Sequence, residues 1–177
     1  VAAVLVDASK GFTNQDKNIM RYVIDKGKGL LVVVNKWDLI VSKETNTMKN
    51  IQDDMILSYS NLQHYPIHFI SVEHNLKIGD ILKNILHIYK KRKDKISTSK
   101  LNVFLEKIVK HYPPPSTKGK DVKLNYMTQI LTAPPRFCLF TNHPDLISES
   151  YRRYLDNQIR KEFDFFGVPI RISIRKK

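Results

Sequence analysis

The sequence predicts an α/β chain, the later part of a doubly wound parallel sheet followed by a small α+β domain of order α-β-β-α-β. Three observations carry that expectation. Short apolar runs alternate with helical stretches through the first half. The apolar period then changes to two at Val122–Ile130 and again at Val168–Ile174. Between the two regimes lies a charge run, Lys90-Lys91-Arg92-Lys93-Asp94-Lys95, which reads as a solvated helix end and hinge. A chain of 177 residues suits two small domains, expected at 1–92 and 93–177 with the basic linker opening the second.

The first strand is Val1-Ala2-Ala3-Val4-Leu5-Val6, a continuous apolar run ending at Asp7. Such runs suit strands buried on both faces of a parallel sheet. It opens on Val, with no turn or cap before it, so the chain is expected to be a piece of a longer product. Gly11 turns the chain, and Thr13 with Asp16 forms a capping box with Asp in place of Glu. The helix that follows carries Ile19, Met20, Val23 and Ile24 on one face and ends at Gly27 and Gly29. Leu30–Val34 is the second buried strand. A helix of about 15 residues begins near Thr47, with Ile51, Met55, Tyr59 and Leu62 apolar. Ile67, Phe69 and Ile70 make a third strand. The next helix, from about Ile78, has Ile81, Leu82, Ile85, Leu86 and Tyr89 as its apolar stripe. Strands joined by helices imply right-handed crossovers, with ligands at the carboxyl ends of the strands.

Asn35-Lys36-Trp37-Asp38 falls at such an end. Asn, Lys and Asp at this spacing form the guanine-specificity motif of P-loop GTPases. Guanine presents a ring N–H beside an exocyclic amine, and the Asp38 carboxylate can accept from both. Adenine offers a lone pair there, which would repel the carboxylate and leave it unpaired. Asn35 can bond the far edge of the base and tie adjacent loops, and the Lys36 stem can lie along the base plane. Ile70-Ser71-Val72 closes the third strand, where GTPases place a Ser-Ala pair. There a backbone N–H, that of Val72, is expected on the guanine oxygen, with Ser71 steadying Asp38. The alternative for either element is an ordinary polar strand end. No G-x-x-x-x-G-K-[ST] phosphate loop occurs in the sequence, and so no D-x-x-G following one. The chain is therefore expected to hold half of a nucleotide site, with no catalytic residue and no metal ligand of its own.

In the second half, Ser97 or Thr98 caps a helix with Leu101, Phe104, Leu105, Ile108, Val109 and Tyr112, stopped by Pro113-Pro114-Pro115. Val122, Leu124, Tyr126, Thr128 and Ile130 alternate with Lys123, Asn125, Met127 and Gln129 as a half-buried strand. Arg136–Thr141 is the next strand. Ser148 caps a helix with Tyr151, Leu155, Ile159 and Phe163 in one stripe, ended by Gly167. Val168, Ile170, Ile172 and Ile174 mark the last strand.

The formal charge is +13, and it is unevenly placed. Residues 1–96 hold 15 basic against 10 acidic side chains, and 97–177 hold 15 against 7. A balance of this size points to phosphate-rich partners. Arg152, Arg153, Arg160 and Lys161 on the helix, with Arg171, Arg175, Lys176 and Lys177 on the last strand, are the candidate RNA or ribosome contacts. The alternative is a solvated face with local pairs such as Asp156–Arg160. Tyr154 is a candidate base stacker, and Tyr151 reads as core. The single cysteine, Cys138, excludes an intrachain disulfide and fits a reducing cytoplasm. The longest apolar run, Leu30–Val34, is too short to span a bilayer.

The whole chain resembles the C-terminal part of the bacterial tandem-GTPase family Der, also called EngA. The residues that carry the resemblance are Asp7–Asp16 (DASKGFTNQD), Val34–Leu39 (VNKWDL), Ser97–Asn102 (STSKLN), His111–Pro115 (HYPPP), Ala133–Phe137 (APPRF), Glu149–Leu155 (ESYRRYL) and Pro169–Ile172 (PIRI). The resemblance implies a GTP-hydrolysing parent that acts on the large ribosomal subunit during its assembly. It also implies GTP or GDP as ligand, with Mg2+ held by the N-terminal part, and a KH-like tail that packs on the GTPase domains. The G-x-x-G loop of ordinary KH domains is absent, as in this family. Two other readings stay open: a stand-alone KH-like RNA-binding or docking module without catalysis, and an Era-like GTPase.

Overall fold

The computed structural model describes residues 1–40, 44, 46–115 and 119–177. Contacts divide them into two units, one of residues 1–91 with 166–169 and one of residues 92–165 with 170–177.

The first unit runs β1 (Ala2–Asp7), α1 (Asn14–Asp25), β2 (Leu30–Asn35), α2 (Thr47–Ser58), β3 (Ile67–Phe69) and α3 (Ile78–Lys91). The strands form a parallel sheet of order β1-β2-β3, with Asp7 beside Asn35 and Val34 beside Phe69. Thr13 and Asp16 make the reciprocal capping box that starts α1. Gly27, at φ 66°, takes the left-handed position past its end, where Gly27 and Lys28 N–H groups satisfy the last carbonyls. Leu30 to Val34 are all buried, as a central strand requires. Val4, Val6, Val32, Val34, Met20, Met55, Leu62 and Phe69 share one core.

Two apolar stripes differ from expectation. β1 is buried on one face only, and Leu5 is 61% exposed on the other. In α3 only Ile88 is fully covered, while Leu82 is 63% exposed and Leu86 and Tyr89 lie open as well. A three-stranded sheet offers a helix a narrow floor, so α3 is covered along one line instead of across its whole stripe. That line meets Gly29, where an added Cβ would stand 2.5 Å from Ile88 Cγ2. The segment 166–169 closes this end of the unit: Leu30 N–H donates to the Gly167 carbonyl at 2.9 Å, and Gly167 N–H to the His64 carbonyl at 2.8 Å.

The second unit runs α4 (Thr98–His111), β4 (Leu124–Thr132), β5 (Pro135–Thr141), α5 (Glu149–Phe163) and β6 (Arg171–Lys176). Its sheet order is β4-β5-β6, with β4 antiparallel and β6 parallel to β5. Ser97 and Ser148 accept the capping bonds of α4 and α5. Met127, Phe137 and Leu139 are fully buried, as are Leu101 of α4 and Leu155 and Ile159 of α5. Phe104 and Phe163 meet edge to face at 5.2 Å between the helices.

Two expectations change here. The alternation of β4 is inverted from Tyr126 on, so Met127 is the buried residue and Ile130 is 45% exposed. The cause is a register shift between Leu124 and Tyr126: the extra residue, Asn125, flips the side chains that follow, as far as a second shift between Gln129 and Leu131 that leaves Ile130 as its extra residue. Within this unit the end of the basic run is tied to β4: the Gln129 amide accepts from Ile96 N–H at 2.7 Å and donates to the Asp94 carbonyl at 3.0 Å. Gly167 does not end α5. Asp164, itself left-handed at φ 54°, caps that helix.

Candidate functional site

The carboxyl ends of three strands are laced together by backbone. Ala8 N–H donates to the Asn35 carbonyl at 2.9 Å, Ile70 N–H to Val34 at 2.8 Å, and Trp37 N–H to Ile70 at 3.0 Å. The motif residues leave β2 at this junction. Lys36 sits in the left-handed region at φ 63°, ψ 35°, which costs a non-glycine residue about 1–2 kcal/mol. It is held there from both sides. Trp37 behind it is 4% exposed and edge-on to Phe69, with ring centroids 5.0 Å apart. The Lys36 ammonium reaches forward to Asp7 Oδ2 at 2.8 Å.

Asp7 is anchored in turn. Its Oδ1 accepts from Ser9 N–H at 3.0 Å and from Ser9 Oγ–H at 2.6 Å. The Lys36 ammonium first, and then Ser9, hold its carboxyl at about 2, below the ordinary 3.8. Sequence reasoning assigned no role to Asp7 or Ser9. The available signal was position: an Asp at the carboxyl end of a strand bordering the motif strand is a ligand-side residue by topology.

Asn35 performs the tying role read from its position, since its Oδ1 accepts from Val72 N–H at 3.2 Å. That orientation leaves the amide Nδ2 as donor for another group. The loop behind Val72 is closed by reciprocal backbone bonds between Ser71 and Leu76, with Asn75 and Lys77 left-handed. Ser71 is fully buried, and its Oγ accepts from His74 N–H at 3.2 Å. Asp38 lies in a short 3-10 turn, Trp37–Leu39, with its Oδ1 shielded from solvent. The five residues expected to read guanine thus stand on two neighbouring loops, joined by the Asn35–Val72 bond.

The basic residues of the tail are not brought to one face. Arg160 donates to Asp156 Oδ2 at 2.6 Å and to the Phe165 carbonyl at 3.2 Å, and its side chain is only 11% exposed. It braces the end of α5. Arg153 and Lys161 are exposed on that helix, and Arg152 is partly so. Arg171 and Arg175 pair with Arg136 and Phe140 of β5, on the sheet face opposite Phe137, Leu139 and α5. Lys176 is in register with Thr141 on the helix side, and Lys177 N–H bonds the Thr141 carbonyl at 3.0 Å. Tyr151 is core, with its hydroxyl on the Tyr112 carbonyl at 3.0 Å. The hydroxyl of Tyr154 bonds the Ile108 carbonyl at 3.2 Å. No helix among the described residues is long and apolar enough to cross a membrane.

Fold and site together define a class: the later half of a parallel α/β domain of GTP-binding type, joined to a KH-like α+β module. Residues 1–114 match the family described as the elongation factor Tu GTP binding domain. Residues 95–175 match the KH-domain-like family of EngA bacterial GTPase enzymes, C-terminal. Over all 177 residues the chain is 38% identical to GTPase Der of Lactobacillus johnsonii and 40% identical to GTPase Der of Chlorobium phaeobacteroides. It spans about 40% of the length of each. Among solved structures, Era of Aquifex aeolicus bound to GDP and AlF4− aligns at 16% identity and a TM-score of 0.41, over 99% of this chain and 64% of that one. The chain belongs to the family of the elongation factor Tu GTP binding domain, and along its whole length it is similar to the Der GTPases.

Proposed function

We propose that this chain gives a GTP-hydrolysing ribosome assembly factor its base-reading half-site and its RNA-binding tail. The observation that carries the reading is the placement of Asn35-Lys36-Trp37-Asp38 at the end of β2, with Lys36 strained, locked to Asp7, and Asn35 bonded to the Ser71-Val72 loop. Strain held at a ligand-facing strand end signals a preorganised site.

In this reading the Asp38 carboxylate accepts the ring N–H and the amine of guanine in GTP or GDP. The Asn35 amide donates to the far edge of the base, and the Lys36 stem covers its face. Val72 N–H, now on Asn35, is shared with the guanine oxygen when the base arrives, while buried Ser71 holds that loop in place. Phosphates and Mg2+ fall to residues of the whole protein beyond this sequence, which has no phosphate loop and no D-x-x-G following one. Hydrolysis belongs to that whole protein, named GTPase in the relatives. The net positive tail directs the factor to ribosomal RNA of the large subunit in the cytoplasm.

The test is Asp38→Asn in the whole protein. An amide can donate to the extra carbonyl of xanthine but cannot accept twice from guanine. GDP affinity is expected to fall about 10- to 100-fold, in line with loss of charge-assisted bonds worth about 1.5–3 kcal/mol, with XDP binding gained. Unchanged GDP affinity in a titration removes Asp38 from the site and promotes the reading of a docking module without catalysis.

A further inference from the structure

We propose that the open face of the β4-β5-β6 sheet is a stacking platform for single-stranded RNA. The inference rests on the tail being an RNA-binding module and names the surface that does the binding. Strand register places Tyr126, Phe140 and Arg175 side by side in one row across all three strands. Tyr126 and Phe140 stack on each other at 4.4 Å and 13°. Both stay partly open to solvent, and Arg175 beside them is exposed. Two residues further along β5, the next row is small: Thr128, Cys138 and Ser173. The row beyond it brings Arg136 beside exposed Arg171.

The three strands together contain no acidic residue. The face therefore offers flat aromatic surface flanked by guanidinium groups, over a low floor of small side chains. Bases stack on aromatic rings and Arg planes with little regard for sequence, while Arg neutralises the adjoining phosphates. A duplex hides its base faces and cannot use such a row. A protein partner would have to bring acidic groups of its own to face three arginines and would gain less from the ring faces than a base does. Charge and ring geometry together favour an unpaired strand.

The experiment uses the 177-residue chain and a fluorescein-labelled oligouridine of about twelve nucleotides, within the ordinary span of such sites, with a duplex RNA of equal length as competitor. Tyr126→Leu and Phe140→Leu keep apolar volume on the sheet. Each is expected to weaken oligouridine binding about tenfold, with circular dichroism unchanged. Arg175→Gln is expected to weaken binding and lower its salt dependence. The duplex is expected to compete poorly. On the unaltered chain, 4-thiouridine is expected to crosslink at Tyr126 or Phe140, which decides the matter even if a variant misfolds. Full-strength binding by the Leu variants with crosslinks on α5 overturns the platform and leaves an RNA-binding tail. Absence of RNA binding altogether overturns both and marks the face as a protein contact.

Discussion

Lys36 shows how much one residue of this site depends on its neighbours. A left-handed backbone is unfavourable for lysine, so the conformation persists because buried Trp37 fixes one side and Asp7 the other. Asp7 carries the pH signature of that arrangement. Its carboxyl titrates at about 2 in the folded chain against an ordinary 3.8. A lowered folded value means the pair contributes fully above the ordinary value and is lost as pH falls through about 2. Lys36→Met is expected to move the Asp7 midpoint up toward 3.8 in a carboxyl NMR titration, part of the way only, because Ser9 still donates two bonds. A midpoint left at about 2 would show that Ser9 alone sets it. The guanine-reading roles proposed for Asn35, Lys36 and Asp38 are legible in the sequence because a base edge dictates donor and acceptor types at fixed spacing. The Lys36–Asp7 pair was not, because residues 29 apart in the chain meet only through strand register.

Elements followed their local signals where one chain segment decides the outcome. The capping box of Thr13 and Asp16, the Ser97 and Ser148 caps and the apolar run of β2 formed as the sequence indicates. They departed where a partner strand intervenes. The β4 bulge makes a clear test: Met127→Ala is expected to cost about 2–5 kcal/mol in urea unfolding, whereas Ile130→Ala is expected to cost about 0.5 kcal/mol or less. Equal costs would place the bulge elsewhere. Gly167 makes another. At φ 78°, with Ile88 side-chain atoms 2.7 Å from where a Cβ would stand, Gly167→Ala combines backbone strain with overpacking. A loss of about 2–4 kcal/mol is expected from the two effects. Adding Ile88→Ala should make the pair less than additive, since trimming Ile88 relieves the overlap but not the backbone strain.

At the scale of the whole molecule, charge is the property that reaches furthest. RNA binding by the chain is expected to weaken steeply with salt, by about 0.7 log units per phosphate contact for each tenfold rise in salt. A flat response in a fluorescence titration would point to protein docking in place of phosphate contact. Arg160→Gln is expected to leave that slope unchanged, since its guanidinium is already engaged by Asp156 and Phe165. Composition alone determined that this chain is basic, and the motif alone marked a strand end as the candidate guanine reader. The two fold classes also followed from apolar periodicity. Each of these is a local property, written in residue type and short spacing. Tertiary structure alone decided which basic residues share a face, which side of β4 is buried, that Asp7 holds Lys36, and that Gly167 lies against Ile88 at the start of β2. Those outcomes depend on strand register and on close approach between segments far apart in sequence, and no local spacing encodes either.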